Sequence, residues 1–212
     1  MSGTLTMAAC PTTPAAATES PPGDTSATAT DAPLRRPLVL VGLMGAGKSS
    51  IGRRLAQRLG VSFADADSEI EKAAGRTIPE IFEAFGEEEF RNGERRVIRR
   101  LIESGGPQVL ATGGGAFMAD DTRALIKEQA TSLWLKADFE TLFERVSKRS
   151  NRPLLKTADP KATLRDLMAR RYPVYGEADI VVETCRVPIE ETVDKVYHAV
   201  LDHLAHAATP AP

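Results

Sequence analysis

The sequence predicts a three-layer α/β/α domain around a central parallel sheet of about five strands. Three observations predict it. Short unbroken apolar runs recur along the chain, helical patterns separate them, and the first run ends in a glycine-rich turn that opens a helix. A buried parallel strand reads as a continuous apolar run because both of its faces are covered.

Leu38 to Val41 is the first such run. Ile51, Leu55 and Leu59 then recur at helical spacing, with Gly60 as the stop. Val61 to Ala64 reads as a second strand ending at Asp65, and Ser68 to Ala74 and Thr77 to Phe85 as helical pieces. Thr77 and Glu80 match a capping box, with Pro79 tolerated in the first turn. Glu87 to Ser104 reads as a long helix with Phe90, Val97 and Leu101 on one side. Val109 to Thr112 is a third strand closed by Gly113, Gly114 and Gly115. A helix over 121–129, a strand from Ser132 to Lys136 and a helix from Asp138 to Val146 follow. Ser147 to Pro160 is basic, polar and proline-bearing, so it reads as a mobile loop. Lys161 to Arg171 is helical, Asp179 to Val182 a fifth strand and Pro188 to Ala205 the closing helix.

The first 36 residues are almost wholly Ala, Thr, Pro, Ser and Gly, which predicts a disordered tail because too little apolar surface offsets the ordering entropy. The expected domain spans 37–206, with a flexible terminus over 207–212. No basic start precedes an apolar core, and no Arg occurs before Arg35, so neither a secretory signal nor a transit peptide is expected. The expected location is cytoplasmic. A net charge of −2 gives no broad footprint for nucleic acid or an anionic membrane. Two cysteines, Cys10 and Cys185, suggest neither a disulfide framework nor a zinc site. His198, His203 and His206 read as polar residues of a terminal helix.

Gly42, Gly47, Lys48 and Ser49 satisfy the phosphate-loop pattern G-x-x-x-x-G-K-[ST], with a strand before it and a helix after. The fold class is therefore P-loop NTPase-type. Backbone N–H groups of Gly45, Ala46, Gly47, Lys48, Ser49 and Ser50 would cradle the phosphates of ATP at a positive helix end. Lys48 reaches the β- and γ-phosphates, and the Ser49 hydroxyl ligates Mg²⁺.

The acceptor side admits more than one reading from residues alone. Asp65 and Asp67 face one way at a strand end, either sharing work on Mg²⁺ and a hydroxyl or merely capping a helix. Arg91 sits among Glu87, Glu88, Glu89 and Glu94, as a ligand or as a salt-bridged surface residue. Gly113 to Gly115 allow close approach to a ligand, or only a turn. Arg149 and Arg152 lie in a basic loop that either closes over phosphate or is simply solvated.

As an ordered set, Gly-Leu-Met-Gly-Ala-Gly-Lys-Ser, Asp-Ala-Asp-Ser-Glu-Ile-Glu, Gly-Arg-Thr-Ile-Pro-Glu-Ile-Phe, Gly-Glu-Glu-Glu-Phe-Arg, Gly-Gly-Gly and Arg-Pro-Leu-Leu closely resemble shikimate kinase. The resemblance covers roughly 38–205 and implies a mobile lid, ATP and shikimate as substrates, and a monomer in aromatic amino acid biosynthesis. It implies that Asp67 orients or deprotonates the 3-hydroxyl and that Asp65 supports Mg²⁺. Arg91 and Arg171 would grip the carboxylate, since a planar guanidinium matches it bidentately. Gly113, Gly114 and Gly115 would meet ring hydroxyls, with Phe82 and Phe90 as apolar walls. Arg152 would be the lid arginine and Arg145 would lie against adenine, while contacts near Arg186 stay unassigned.

A gluconate kinase would share the loop but not the Asp-x-Asp, Gly-Gly-Gly and Phe-Arg combination. A nucleotide acceptor would be expected to need a second base-binding surface. A guanine-specific switch would carry an Asn-Lys-x-Asp segment, which the sequence lacks. A relative without activity is disfavoured because every expected polar residue is present.

Overall fold

The computed structural model describes residues 34–148 and 159–208. Five strands, β1 (Leu38–Val41), β2 (Ser62–Asp65), β3 (Gln108–Ala111), β4 (Thr131–Ala137) and β5 (Ile180–Thr184), form one sheet in the order β2-β3-β1-β4-β5. Every neighbouring pair is parallel. The chain leaves β1 toward β2 and β3, then returns across it to β4 and β5. That reversal opens a crevice beyond the carboxyl ends of the strands beside β1.

All residues of β1 and β3 are buried, whereas β5, at the sheet edge, alternates buried and exposed with Val181 in solvent. The fully apolar central runs and the alternating edge have one cause, the number of covered faces.

Helix α1 (Lys48–Leu59) follows β1 and packs against α7 (Ile189–Ala208). Arg54 pairs with Glu190 and Arg58 with Asp194 across this contact, while the Arg58 guanidinium lies 4.1 Å from the Tyr197 ring centre. Helix α2 (Ala66–Ala74) packs on α3 (Ile78–Ser104), which packs on α4 (Asp120–Gln129). Helices α5 (Phe139–Ser147) and α6 (Pro160–Tyr175) pair beyond β4.

The break expected between Phe85 and Glu87 appears as a kink in α3 at Gly86, whose φ of 79° and ψ of 177° suit glycine alone. The capping box at Thr77 and Glu80 forms, Thr77 N–H donating to Glu80 at 2.7 Å. Two cores result. One surrounds the sheet; a smaller cluster of Ile70, Ile81, Phe90 and Val97 holds α2 to α3.

Three local features go beyond the sequence reading. Leu34, before the expected domain start, is only 2% exposed and packs in the main core. Helix α6 continues past Arg171, through Pro173, to Tyr175. A proline inside a helix removes a hydrogen bond, but Tyr172 and Tyr175 pack against Trp134 and their hydroxyls donate to Ala137 and Gly114. Tertiary contacts thus hold a last turn that local propensity would end. After the glycine triplet, Ala116–Met118 forms a 3₁₀ turn that no sequence signal announced.

Candidate active site

The phosphate loop curls between β1 and α1 because its glycines adopt backbone angles closed to other residues. Gly42 (φ 137°) lies so near β4 that a Cβ would sit 2.8 Å from the Leu135 carbonyl oxygen, and Gly47 (φ 99°) is the left-handed N-cap of α1. Lys48 Nζ donates to the carbonyl oxygens of Gly42 at 2.8 Å and Leu43 at 3.1 Å, so its charge is held inside the loop. Ser49 Oγ donates to Asp65 Oδ2 at 2.5 Å. The loop and the end of β2 thereby put a hydroxyl and a carboxylate side by side.

Asp65 also caps α2, accepting from the Asp67 N–H at 3.1 Å. The capping reading and the site reading are therefore compatible, because one carboxylate serves both neighbours through different oxygens. Asp67 itself points to the third strand: a Cβ on Gly113 would come within 3.0 Å of Asp67 Oδ1 and 2.7 Å of Glu94 Oε1.

The glycine triplet after β3 is required for space, not for backbone angles, since none of the three has positive φ. A Cβ on Gly115 would meet Arg91 Nη1 at 2.6 Å, and one on Gly114 would meet Arg171 Nη1 at 3.3 Å. Arg171 Nη1 donates to the Gly114 carbonyl at 2.9 Å. Asp67, Glu94, Arg91 and Arg171 thus converge on three residues that have no side chains.

Arg91 pairs with Glu94 at 2.7 Å and with Glu87 at 3.3 Å. Burial works against its charge, but the bonds to Glu94 and Glu87 outweigh that and raise its pKa. Glu94 is only 2% exposed, and its Oε1 has no hydrogen-bond partner among the described residues. Burial pushes the Glu94 carboxyl up; Arg91 opposes this, the nearby Asp67 charge adds to it, and Arg171 opposes it. The net direction is upward, because desolvation of a buried carboxyl is the largest effect here.

Arg145, on α5, donates to the Gly45 carbonyl at 3.4 Å and to the Cys185 carbonyl at 3.4 Å. Arg186 instead pairs with Glu144 at 3.2 Å. A cleft of about 580 Å³ runs from Gly113 and Asp67 past Lys48 to Arg145, Val187 and Thr192. Such a volume suits a nucleotide-sized ligand. Phe90 lies in the small α2–α3 cluster with the Phe82 ring centre 4.5 Å away and tilted by 31°, and Arg91 is 5.1 Å from the Phe90 ring centre. A second concavity, beyond α3, is lined mainly by apolar residues such as Ile70, Phe85 and Val97, and none of the expected polar site residues lines it.

Sequence reasoning missed Glu94, Tyr175 and Val187 as members of the site. Glu94 carried a signal in lying one helical turn after Arg91, and Tyr175 in closing the segment Arg171-Tyr172-Pro173-Val174-Tyr175, which resembles the family's Arg-x-Pro-x-Tyr turn. Arg149, Arg152 and the rest of the expected loop over 149–158 lie outside the described residues, while its expected ends, Ser147 and Pro160, belong to α5 and α6.

A parallel α/β sheet with a phosphate loop after its first strand, beside a cluster of two arginines and two carboxylates around a glycine triplet, defines a P-loop phosphotransferase. The comparisons narrow the class. The family model for shikimate kinase matches residues 44–201. A shikimate kinase of Rhodopseudomonas palustris is 57% identical over 177 residues, covering 84% of this chain and 86% of that protein. One from Nitrobacter winogradskyi is 60% identical over 160 residues, covering 76% and 74%. The shikimate kinase of Acinetobacter baumannii, solved in complex with shikimate, superposes with a TM-score of 0.75 at 39% identity, covering 79% of this chain and 93% of that one. The chain belongs to the shikimate kinase family.

Proposed function

We propose that this chain transfers the γ-phosphoryl group of ATP to the 3-hydroxyl of shikimate, releasing ADP and shikimate 3-phosphate. The observation that carries the reading is the meeting of Lys48 and its loop with Asp67, Arg91 and Arg171 around one glycine triplet. Phosphoryl transfer asks a protein mainly to align donor and acceptor and to offset charge on the transferring group.

In this reading the N–H groups of Gly45 to Ser50 and the Lys48 ammonium hold the ATP phosphates, and Arg145 lies beside adenine. Arg91 and Arg171 take the shikimate carboxylate in bidentate fashion, and the backbone of Gly113, Gly114 and Gly115 meets the ring hydroxyls. Asp67 orients the 3-hydroxyl and accepts its proton. Arg152 is assigned to the lid by resemblance alone.

Ser49 and Asp65 supply hard oxygen donors 2.5 Å apart. No group of three or more acidic, His or Cys side chains gathers for a metal among the described residues. That fits Mg²⁺, which keeps several waters and takes only one or two protein carboxylates beside the phosphates. When bound, Mg²⁺ would offset the negative charge of the phosphate oxygens. The same proposal has the enzyme working as a cytoplasmic monomer, with neither nucleic acid nor membrane as partner. The net charge of −2 supports the latter part.

A coupled assay of ADP release with ATP and shikimate tests the reading, with gluconate and a nucleoside monophosphate as alternative acceptors. We expect release that depends on shikimate, and a fall in kcat on the order of 10²-fold or more for Lys48→Ala. ADP release that follows another acceptor, or a Lys48→Ala variant near wild-type rate, would overturn it.

A further inference from the structure

Tyr175 closes α6 with no solvent exposure, and its hydroxyl donates to the Gly114 carbonyl oxygen. The same oxygen accepts from Arg171 Nη1. A carbonyl oxygen has two lone pairs, so these donors complete its capacity. Arg171 and Tyr175 are four residues apart on α6 and share one face.

The phenol is itself held firmly. Its ring centre lies 5.9 Å from Trp134 and 6.4 Å from Tyr172, and Tyr172 meets Trp134 edge-on at 4.9 Å. Burial pushes the Tyr175 hydroxyl up to about 12, so it remains a proton donor at any working pH. The Gly114 peptide, by contrast, lies within a run of three glycines and has little local stiffness. Its other neighbours leave ordinary contact distances: a Cβ at Gly114 would be 3.5 Å from the Gly42 carbonyl and 3.6 Å from the Met44 nitrogen, so packing alone does not clamp the peptide. A small rotation of this peptide would move the acceptor of the Arg171 bond. Arg171 is a long side chain whose aim depends on such a fixed partner.

We propose that Tyr175 is a positioning residue for the acceptor: its hydroxyl fixes the Gly114 carbonyl, and that oxygen in turn aims the Arg171 guanidinium. The inference rests on the reading of Arg171 as a ligand for the acceptor carboxylate. The ring supplies packing and the hydroxyl supplies aim, so the two are separable.

Tyr175→Phe keeps the ring and removes the hydroxyl. Steady-state kinetics on Tyr175→Phe, Arg171→Ala and the double variant provide the test, with Tyr172→Phe as control. The control loses the hydroxyl of a half-buried tyrosine on the same helix that bonds to Ala137, away from the glycine triplet. We expect Tyr175→Phe to raise KM for shikimate about 5- to 10-fold, the range of one lost hydrogen bond. KM for ATP and the melting temperature should stay close to wild type, and the control should leave KM for shikimate unchanged.

In the Arg171→Ala background, Tyr175→Phe should add little, as expected for two residues acting as one unit. An unchanged shikimate KM in Tyr175→Phe, or equal rises in both backgrounds, would sink the inference while leaving the Arg171 reading intact. If Arg171→Ala itself leaves that KM unchanged, the Arg171 reading fails and the inference falls with it. A Tyr175→Phe protein that only melts lower, with wild-type KM, would return the hydroxyl to a purely structural role.

Discussion

Gly115 and Arg91 illustrate how a residue without a side chain governs one that has a long one. A Cβ on Gly115 would overlap the far end of a flexible Arg91, not backbone. The fold can therefore absorb an alanine there, but the guanidinium cannot keep its place. Gly115→Ala is expected to raise KM for shikimate on the order of tenfold, as Arg91→Ala does, with stability within about 0.5 kcal/mol of wild type. Kinetics beside a thermal melt check this, and a large loss of stability with unchanged KM would contradict it. The phosphate loop could be read from sequence because its function fixes residue type at each position. The contacts of Glu94 and Tyr175 could not, since only folding shows that one is buried against Arg91 and the other reaches Gly114.

Helix ends show how local rules and tertiary contacts divide the work among elements. Asp138 caps α5, accepting from the Thr141 N–H at 2.7 Å and from its hydroxyl at 2.7 Å. The backbone bond from Thr141 is the main influence that holds the Asp138 carboxyl below its ordinary value. A depressed carboxyl contributes stability above its unfolded pKa and loses it as pH falls through the folded one. Asp138→Ala should cost about 1 kcal/mol at neutral pH, from the usual value of such caps, lowering Tm by about 2–4 °C. The difference from wild type should shrink in acid below the carboxylate range, where the charged part of the cap is lost and a neutral carboxyl still accepts the bond, and melts at two pH values would show it. A cost that persisted unchanged in acid would mean the cap is not the cause. The caps at Thr77 and Asp138 and the break at Gly86 were legible because each depends on neighbours in sequence. The last turn of α6 was not, because Pro173 is overridden by Trp134, which is distant in the chain.

For the whole molecule, the catalytic unit we propose is the domain over residues 37–206, with the preceding three residues as its margin. Deleting residues 1–33 retains Leu34, which packs in the main core, and Arg36, which donates to Thr131 at 2.9 Å. Such a protein should keep kcat and both KM values within about twofold of the full chain, the scatter of changes that touch no contact. Loss of activity would show that the first segment takes part in catalysis.

The sequence by itself determined the alternation of strands and helices, the phosphate-loop pattern and the candidates proposed for the acceptor side, because apolar period, glycine and charge are local properties. Only the tertiary structure decided which of those residues meet. Residues as far apart as Asp67, Arg91 and Arg171 converge on Gly113–Gly115 because the sheet order puts the carboxyl ends of β1, β2 and β3 side by side. Strand order is set by how the two faces are buried, and that energy is shared over the whole core.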